Sequence, residues 1–188
     1  MKFKTVLLDP PWMERGGGKS KRGADRHYPL LSTPKMPSVI QSCHMYMWVT
    51  NNFLPDGLWL IEKLGFRYIT NVVWVKDKFG LGQYFRGQHE LCLFATRGRG
   101  FDVKTDSHSI PSVLNGKRDK HSKKPDSFYD LIEKRSNGSY LEIFARSTRD
   151  NWVSWGNEIE EFNFQKEPEP PEQGKLFLQP QPQVWSFL

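Results

Sequence analysis

A short apolar run, Phe3-Lys4-Thr5-Val6-Leu7-Leu8, leads directly into Asp9-Pro10-Pro11-Trp12. The run has the length and the partly β-branched composition of a buried strand. Two successive prolines cannot continue a hydrogen-bonded ladder, so the strand must end where they begin. The sequence therefore predicts that Asp9 lies at the carboxyl end of the first strand.

Strand-like and helical patterns alternate along the following residues. We predict strands at 44–50, 67–75, 89–96 and 140–145, helices at 54–64 and at about 125–135, a short helix opening at 32–34, and loops at 13–27, 80–87 and 97–123. Gly65 suits the end of the helix predicted at 54–64, because glycine readily closes a helix. Such alternation is typical of an α/β fold with a mostly parallel, doubly wound sheet.

Composition indicates one folded domain followed by a tail. The chain has 188 residues, of which 37% are hydrophobic, so it can bury a core and is unlike a disordered chain. From about residue 165 the composition shifts to proline, glutamine and glutamate. We therefore predict a single domain at 1–164 and a flexible tail at 165–188.

The charge balance favours a polyanionic partner. The formal net charge is +6, and basic residues cluster at 19–26 and 117–124. Lysine and arginine gain free energy by displacing counterions from phosphates, so this clustering is typical of nucleic-acid surfaces. Solvated loops are the alternative interpretation of both clusters.

Cysteine and histidine spacing predicts neither a disulfide framework nor a metal site. Cys43 and Cys92 each lie in an apolar run, where a free thiol packs as a small hydrophobic group. No Cys-x-x-Cys or His-Glu-x-x-His spacing occurs.

No stretch reaches the roughly 18 apolar residues that a membrane span needs. These patterns lead us to expect a cytoplasmic protein with no membrane partner and no metal.

The tetrapeptide at residues 9–12 makes chemical sense as a methyl-acceptor site. An aromatic amine is a poor nucleophile because its lone pair is delocalised into the ring. Asp9 and the carbonyl of Pro10 could accept its N–H groups and localise that pair, with Pro11 fixing the backbone. Trp12 could stack on an extruded base. The alternative is a strand-ending turn with a core tryptophan.

Many short motifs in this order resemble the adenine-N(6) methyltransferase family named after the 70-kDa catalytic subunit of the messenger-RNA adenosine methyltransferase. The resemblance covers about residues 5–160 and points to the bacterial or bacteriophage branch. It rests on Asp9-Pro10-Pro11-Trp12, Tyr28-Pro29, Met47-Trp48-Val49-Thr50-Asn51, Gly65-Phe66-Arg67-Tyr68, Val73-Trp74-Val75-Lys76, Arg86-Gly87-Gln88-His89-Glu90, Lys124-Pro125-Asp126, Phe144-Ala145-Arg146 and Trp155-Gly156-Asn157-Glu158.

The resemblance implies a Rossmann-like sheet of seven strands in permuted motif order and S-adenosyl-L-methionine as cofactor. Lys124 and Arg146 would bind the cofactor's carboxylate. Its ribose would contact Asn157 and Glu158. The remaining implied site residues are Asp9 and Asn151 toward the cofactor, Tyr28 closing over the base, and His89 with Glu90 lining the pocket.

The implied reaction is methyl transfer to the exocyclic amine of adenine in DNA. RNA adenine is the alternative substrate, and a non-catalytic nucleic-acid-binding subunit is the alternative class. Without a separate recognition domain, target recognition would fall to the loops at 13–28, 77–87 and 97–123.

In the tail, the peptide Gln173-Gly174-Lys175-Leu176-Phe177 is similar to short peptides that bind a sliding clamp, although chance in a biased segment is the alternative.

Overall fold

The computed structural model describes residues 2–12, 39–80, 82, 84–107, 109–117 and 123–156. Its strands are β1 (Phe3–Leu8), β2 (Val39–Val49), β3 (Arg67–Lys76), β4 (His89–Arg97), β5 (Val113–Gly116), β6 (Tyr140–Ile143) and β7 (Trp152–Trp155). Within the described ranges, the α-helices are α1 (Leu54–Lys63) and α2 (Asp126–Arg135). The predicted short helix at 32–34 and the predicted tail lie outside these ranges.

All seven strands form one sheet in the order β5-β3-β4-β2-β1-β6-β7. β1 pairs in parallel with β2 and β6, β7 pairs in parallel with β6, and β5 pairs in parallel with β3. β4 runs against both of its neighbours, β2 and β3. The mostly parallel, Rossmann-like sheet predicted from the sequence is confirmed. Six strands consequently end at one edge, called here the carboxyl edge, where β4 begins.

The sheet buries apolar side chains on both faces, because alternate residues of a strand point to opposite sides. One face packs against α1 through Val6, Leu8, Met45, Met47, Leu93, Leu60 and Ile61. The other face packs against α2 through Leu7, Tyr46, Trp48, Trp74, Phe128 and Ile132. Central strands that are covered on both faces read as continuous apolar runs, which is why the sequence shows them clearly.

The strands differ from the sequence predictions at four places. β2 begins at Val39 and not at residue 44; the polar Gln41 and Ser42 interrupt the apolar pattern of its first half. β5 lies inside the segment 97–123 that we expected to be a loop, because its four residues, half of them exposed, carry no apolar pattern. β6 ends at Ile143 and not at residue 145, since Phe144 adopts a φ of 67° that leaves the extended conformation. β7 was not among the predicted strands, because its four residues are too few to show a clear pattern.

Candidate active site

Asp9 and Lys124 meet at the carboxyl edge although 115 residues separate them. Asp9 follows the last residue of β1, as predicted, and Lys124 stands two residues before α2. The Lys124 Nζ donates to Asp9 Oδ1 at 3.0 Å and to Oδ2 at 2.9 Å. Contact with both oxygens fixes the carboxylate relative to the strand end, and the prolines after Asp9 restrict the backbone beside it.

This ion pair continues into a row of alternating charges, called here the charge row, formed by Asp9, Lys124, Glu90 and Lys76. The Lys124 Nζ lies 3.4 Å from Glu90 Oε2, and Lys76 contacts the other oxygen of Glu90. The four side chains are only 11% to 18% exposed. Ion pairs this far from water are screened weakly, so each charge depends on its neighbours.

The charge row keeps its central members ionised. Burial alone would raise the pKa of Glu90, but Lys124 and Lys76 lower that pKa below its usual value. Burial likewise opposes the charge on Lys124, but Asp9 and Glu90 raise the pKa of Lys124 above its usual value. The site therefore presents Glu90 as a carboxylate and Lys124 as an ammonium at neutral pH.

A pocket opens beside the Asp9–Lys124 pair, between the ends of β1 and β6 and the start of α2. Its lining includes Asp9, Lys124, Tyr129, Glu142, Arg146 and Arg149. Carboxylates and cations thus face one space, which suits a zwitterionic ligand that also carries a positive sulfur. The residues present fit S-adenosyl-L-methionine in charge, since the lining holds charges opposite to those of its carboxylate, ammonium and sulfonium.

Glu142 is a carboxyl group that the sequence reasoning missed. It is 6% exposed and accepts a hydrogen bond from the Tyr129 hydroxyl at 2.8 Å on Oε1. Burial raises the pKa of Glu142 to about 7, and the nearby charge of Asp9 adds to the rise. Its partner residue across the β6–β7 ladder is Ser154, whose buried Oγ has no hydrogen-bond partner among the described residues.

Trp12 anchors the segment that follows Asp9. Its indole N–H donates to the carbonyl oxygen of Trp48 at 2.8 Å, and its ring stacks on Phe53 with centroids 5.7 Å apart. The backbone N–H of Asp9 also bonds to the carbonyl of Ile143 at 3.3 Å. The residues after β1 are thus fixed to β2 on one side and to β6 on the other.

The structure brings together three of the residues that the sequence analysis selected: Asp9, Lys124 and Arg146 line one pocket. Glu90 joins them through the charge row, whereas His89 is exposed. Asn151 is not brought to the pocket. It occupies the turn before β7, at the opposite edge of the sheet, with a φ of 66°. Tyr28, Asn157 and Glu158 lie outside the described residues, as does the peptide at 173–177.

The sequence did not predict three residues of the site, Tyr129, Glu142 and Lys76. Each of them fits an ordinary helix or strand pattern, which hides its role in the site. Tyr129 falls in a helix pattern, and Lys76 reads as the polar end of a strand. Glu142 carried the one usable signal, a lone carboxylate within the apolar strand Tyr-Leu-Glu-Ile. A buried charge in such a position requires a partner or a function.

The MT-A70 family profile matches residues 3–158. The chain belongs to the MT-A70 family. This finding confirms the family resemblance seen in the sequence motifs. Members of the family are S-adenosyl-L-methionine-dependent methyltransferases, so the pocket and the charge row belong to a methyltransferase fold.

Among similar proteins, the type II methyltransferase M.MunI of Mycoplasma sp. is 28% identical over 184 residues, which cover 84% of this chain and 78% of that protein. The N(6)-adenosine-methyltransferase catalytic subunit METTL3 of Homo sapiens is 26% identical over 175 residues, covering 85% of this chain but 28% of METTL3. A putative MT-A70-like N(6)-adenosine-methyltransferase of Medicago truncatula is 27% identical and matched over 26% of its length. The chain therefore spans about a quarter of these two longer relatives.

In the described ranges, no group of three or more histidine, cysteine, aspartate or glutamate side chains is arranged to hold a metal ion. Neither α1 nor α2 is long and apolar enough to cross a membrane, and the same holds for every helix of the described residues. Cys43 and Cys92 are buried free thiols, as the sequence predicted.

Proposed function

We propose that this protein transfers the methyl group of S-adenosyl-L-methionine to the exocyclic amine of adenine in DNA, with the target base extruded toward Asp9. The observation that carries the proposal is the bidentate Asp9–Lys124 pair, held at the rim of a pocket whose charges suit the cofactor. The cofactor supplies an electrophilic methyl group on positive sulfur. Residues of the chain would bind the cofactor, position the base and take up the proton.

Asp9 would act on the amine. Its carboxylate would accept an N–H of the adenine, localise the nitrogen lone pair, and take up the proton as the new bond to carbon forms. Lys124 supports this role because its Nζ contacts both carboxylate oxygens of Asp9 and so holds the acceptor in place. Pro10 would add its carbonyl as a second acceptor, and Pro11 would fix that carbonyl in place.

Lys124 and Arg146 would hold the cofactor's carboxylate, since both are cations that line the pocket. Asn157 and Glu158 would bind its ribose, and Tyr28 would close over the base. A cofactor-binding role for Asn151 is carried over from the family pattern alone, because this residue lies at the opposite edge of the sheet. Trp12 presents one ring face to Phe53, so its other face would be the one to stack on the base.

DNA is the proposed polymer, with RNA as the alternative. The relative described as a type II methyltransferase is matched over 78% of its length, whereas human METTL3 is matched over 28%. The similarity to the shorter relative thus extends over more than three quarters of that protein. A non-catalytic nucleic-acid-binding subunit is a third class, and it should not bind the cofactor.

The test is direct analysis of products. The protein is incubated with S-adenosyl-L-methionine and either DNA or RNA, and the polymer is digested to nucleosides for mass spectrometry. We expect N(6)-methyldeoxyadenosine from the DNA reaction. Methyladenosine from RNA alone would overturn the choice of polymer. Absence of methylated adenine from both polymers, together with no calorimetric binding of the cofactor, would overturn the proposed activity.

A further inference from the structure

The loop between β3 and β4, residues 77–88, exposes three large aromatic rings. Phe79 is 66% exposed, Phe85 is 89% exposed and Tyr84 is 94% exposed. Aromatic side chains gain more from burial than most others, because each can remove on the order of 150–250 Å² from water. Several such rings together on a single loop are typical of a surface that a partner covers.

The backbone of the β3–β4 loop is held by its own hydrogen bonds. The N–H of Gly80 donates to the carbonyl of Gly87 at 2.6 Å, and the Arg86 Nε donates to the carbonyl of Gly80 at 2.8 Å. At its base, the Gln88 side chain donates to the carbonyl of Lys76 at 3.1 Å. A Cβ atom at Gly82 would overlap the carbonyl of Phe85, so glycine permits this close turn. The described residues on either side of the rings are therefore joined to each other and to the end of β3 by hydrogen bonds.

This loop begins and ends at the charge row. Lys76, the last residue of β3, and Glu90, the second residue of β4, contact each other directly beneath it. Glu90 in turn contacts Lys124, which holds Asp9. The rings consequently stand at the carboxyl edge, on the same side of the sheet as the proposed acceptor site.

The charges of the loop favour a polyanion. Lys78 and Arg86 are exposed beside the rings, against the single acidic residue Asp77, so the loop carries a net charge of +1. Exposed rings interleaved with cations match single-stranded nucleic acid, whose bases stack on aromatic faces while its phosphates attract lysine and arginine.

We propose that Tyr84 and Phe85 form a stacking platform for unpaired bases that flank the target adenine in a DNA strand. The inference rests on the proposed function for the identity of the polymer. Extruding an adenine leaves its neighbours without their stacking partner, and a ring platform beside the acceptor site would replace that lost stacking. The platform would therefore favour single-stranded or locally opened DNA over intact duplex.

The test compares equilibrium binding of a fluorescently labelled single-stranded DNA 20-mer by the wild type, by the double variant Tyr84→Ala/Phe85→Ala, and by Trp59→Ala. Trp59 serves as the control: it is 54% exposed and has the Lys63 ammonium 5.7 Å from its ring centroid, but it lies on α1, outside the loops assigned to target recognition. Each ring of the platform would stack on a base, so the double variant should bind at least about tenfold more weakly. Trp59→Ala should bind like the wild type.

Unchanged affinity of the double variant for single-stranded DNA would overturn the platform, provided that its melting temperature matches that of the wild type. A double variant that keeps its DNA affinity but loses self-association in sedimentation would also overturn it, because the rings would then serve a protein interface. An RNA 20-mer that loses affinity while the DNA 20-mer does not would refute the assignment to DNA. Failure of the enzymatic proposal is distinguishable, since it is judged by methylated adenine formed by the wild type and not by binding.

Discussion

Trp12 donates its indole N–H to the carbonyl oxygen of Trp48 at 2.8 Å, and this bond ties the residues after β1 to the end of β2. Trp48 in turn lies under the Lys124 ammonium, which is 5.2 Å from its ring centroid. The side chain after the two prolines thus contacts the same tryptophan that supports the partner of Asp9. The acceptor segment and the charge row are parts of one packed unit.

Replacing Trp12 with phenylalanine should remove the hydrogen bond and keep the stacking on Phe53. We expect a loss of about 1 kcal/mol in the free energy of unfolding, which is the usual net value of one such bond. Urea titration measures the change. Trp59→Phe is the control, because Trp59 is 54% exposed and should change stability by less than about 0.5 kcal/mol. Equal effects of the two substitutions would refute the anchoring role of Trp12.

Replacing Lys124 with methionine should leave Asp9 and Glu90 as two poorly exposed carboxylates without their shared cation. Loss of one partner from a buried ion pair typically costs about 3–5 kcal/mol of stability. Lys123→Met provides a matched control, because Lys123 is 51% exposed and contacts the exposed Asp126 at 3.3 Å. That variant should lose less than about 1 kcal/mol in urea titration at neutral pH. Equal stability of the two variants would contradict the role of Lys124 in the charge row.

Glu142 predicts a particular pH dependence of stability. Its pKa in the folded protein is about 7, above its value in the unfolded chain, so the folded state binds the proton more tightly. Protonated Glu142 therefore stabilises the folded state fully below the pKa that it has in the unfolded chain, and this stabilisation is lost as pH rises through about 7.

Glu142→Gln should remove this pH dependence, because glutamine can still accept the Tyr129 hydroxyl but does not ionise. The variant should resemble the wild type near about pH 4 and exceed its stability at about pH 8 by roughly 3 kcal/mol, because the pKa of Glu142 is about 7 in the folded protein instead of its usual 4.5. Urea titrations at both pH values make the comparison. A constant difference between the two proteins across this range would contradict the shifted pKa.

The sequence predicts the parts of this molecule that local chemistry determines. Asp9 was correctly placed at a strand end because Pro10 and Pro11 cannot continue a ladder. The two-sided burial of the central strands was visible as apolar runs. The direction of β4 was not predicted, because an apolar run looks the same in either orientation; the shortness of the loop at 77–88 was the available sign that β3 and β4 form an antiparallel pair.

Local pattern is a poor guide to contacts made across the fold. The meeting of Asp9 with Lys124 depends on the pairing of β1 with β6 and on the position of α2, and only the family motifs suggested it. Glu142 was missed because an isolated carboxylate in a strand pattern is normally assigned to the solvent side, whereas here both faces of β6 are covered. β5 is too short and too exposed to show any periodicity.

The most direct test of the account is the single-turnover rate at which Asp9→Ala forms N(6)-methyladenine in DNA at saturating S-adenosyl-L-methionine. Glu90 still pairs with Lys124 in this variant, so the fold should persist, which the melting temperature checks. We predict a rate at least about a hundredfold below that of the wild type, the usual consequence of removing a hydrogen bond made in the transition state. A rate close to that of the wild type would contradict the central role of Asp9.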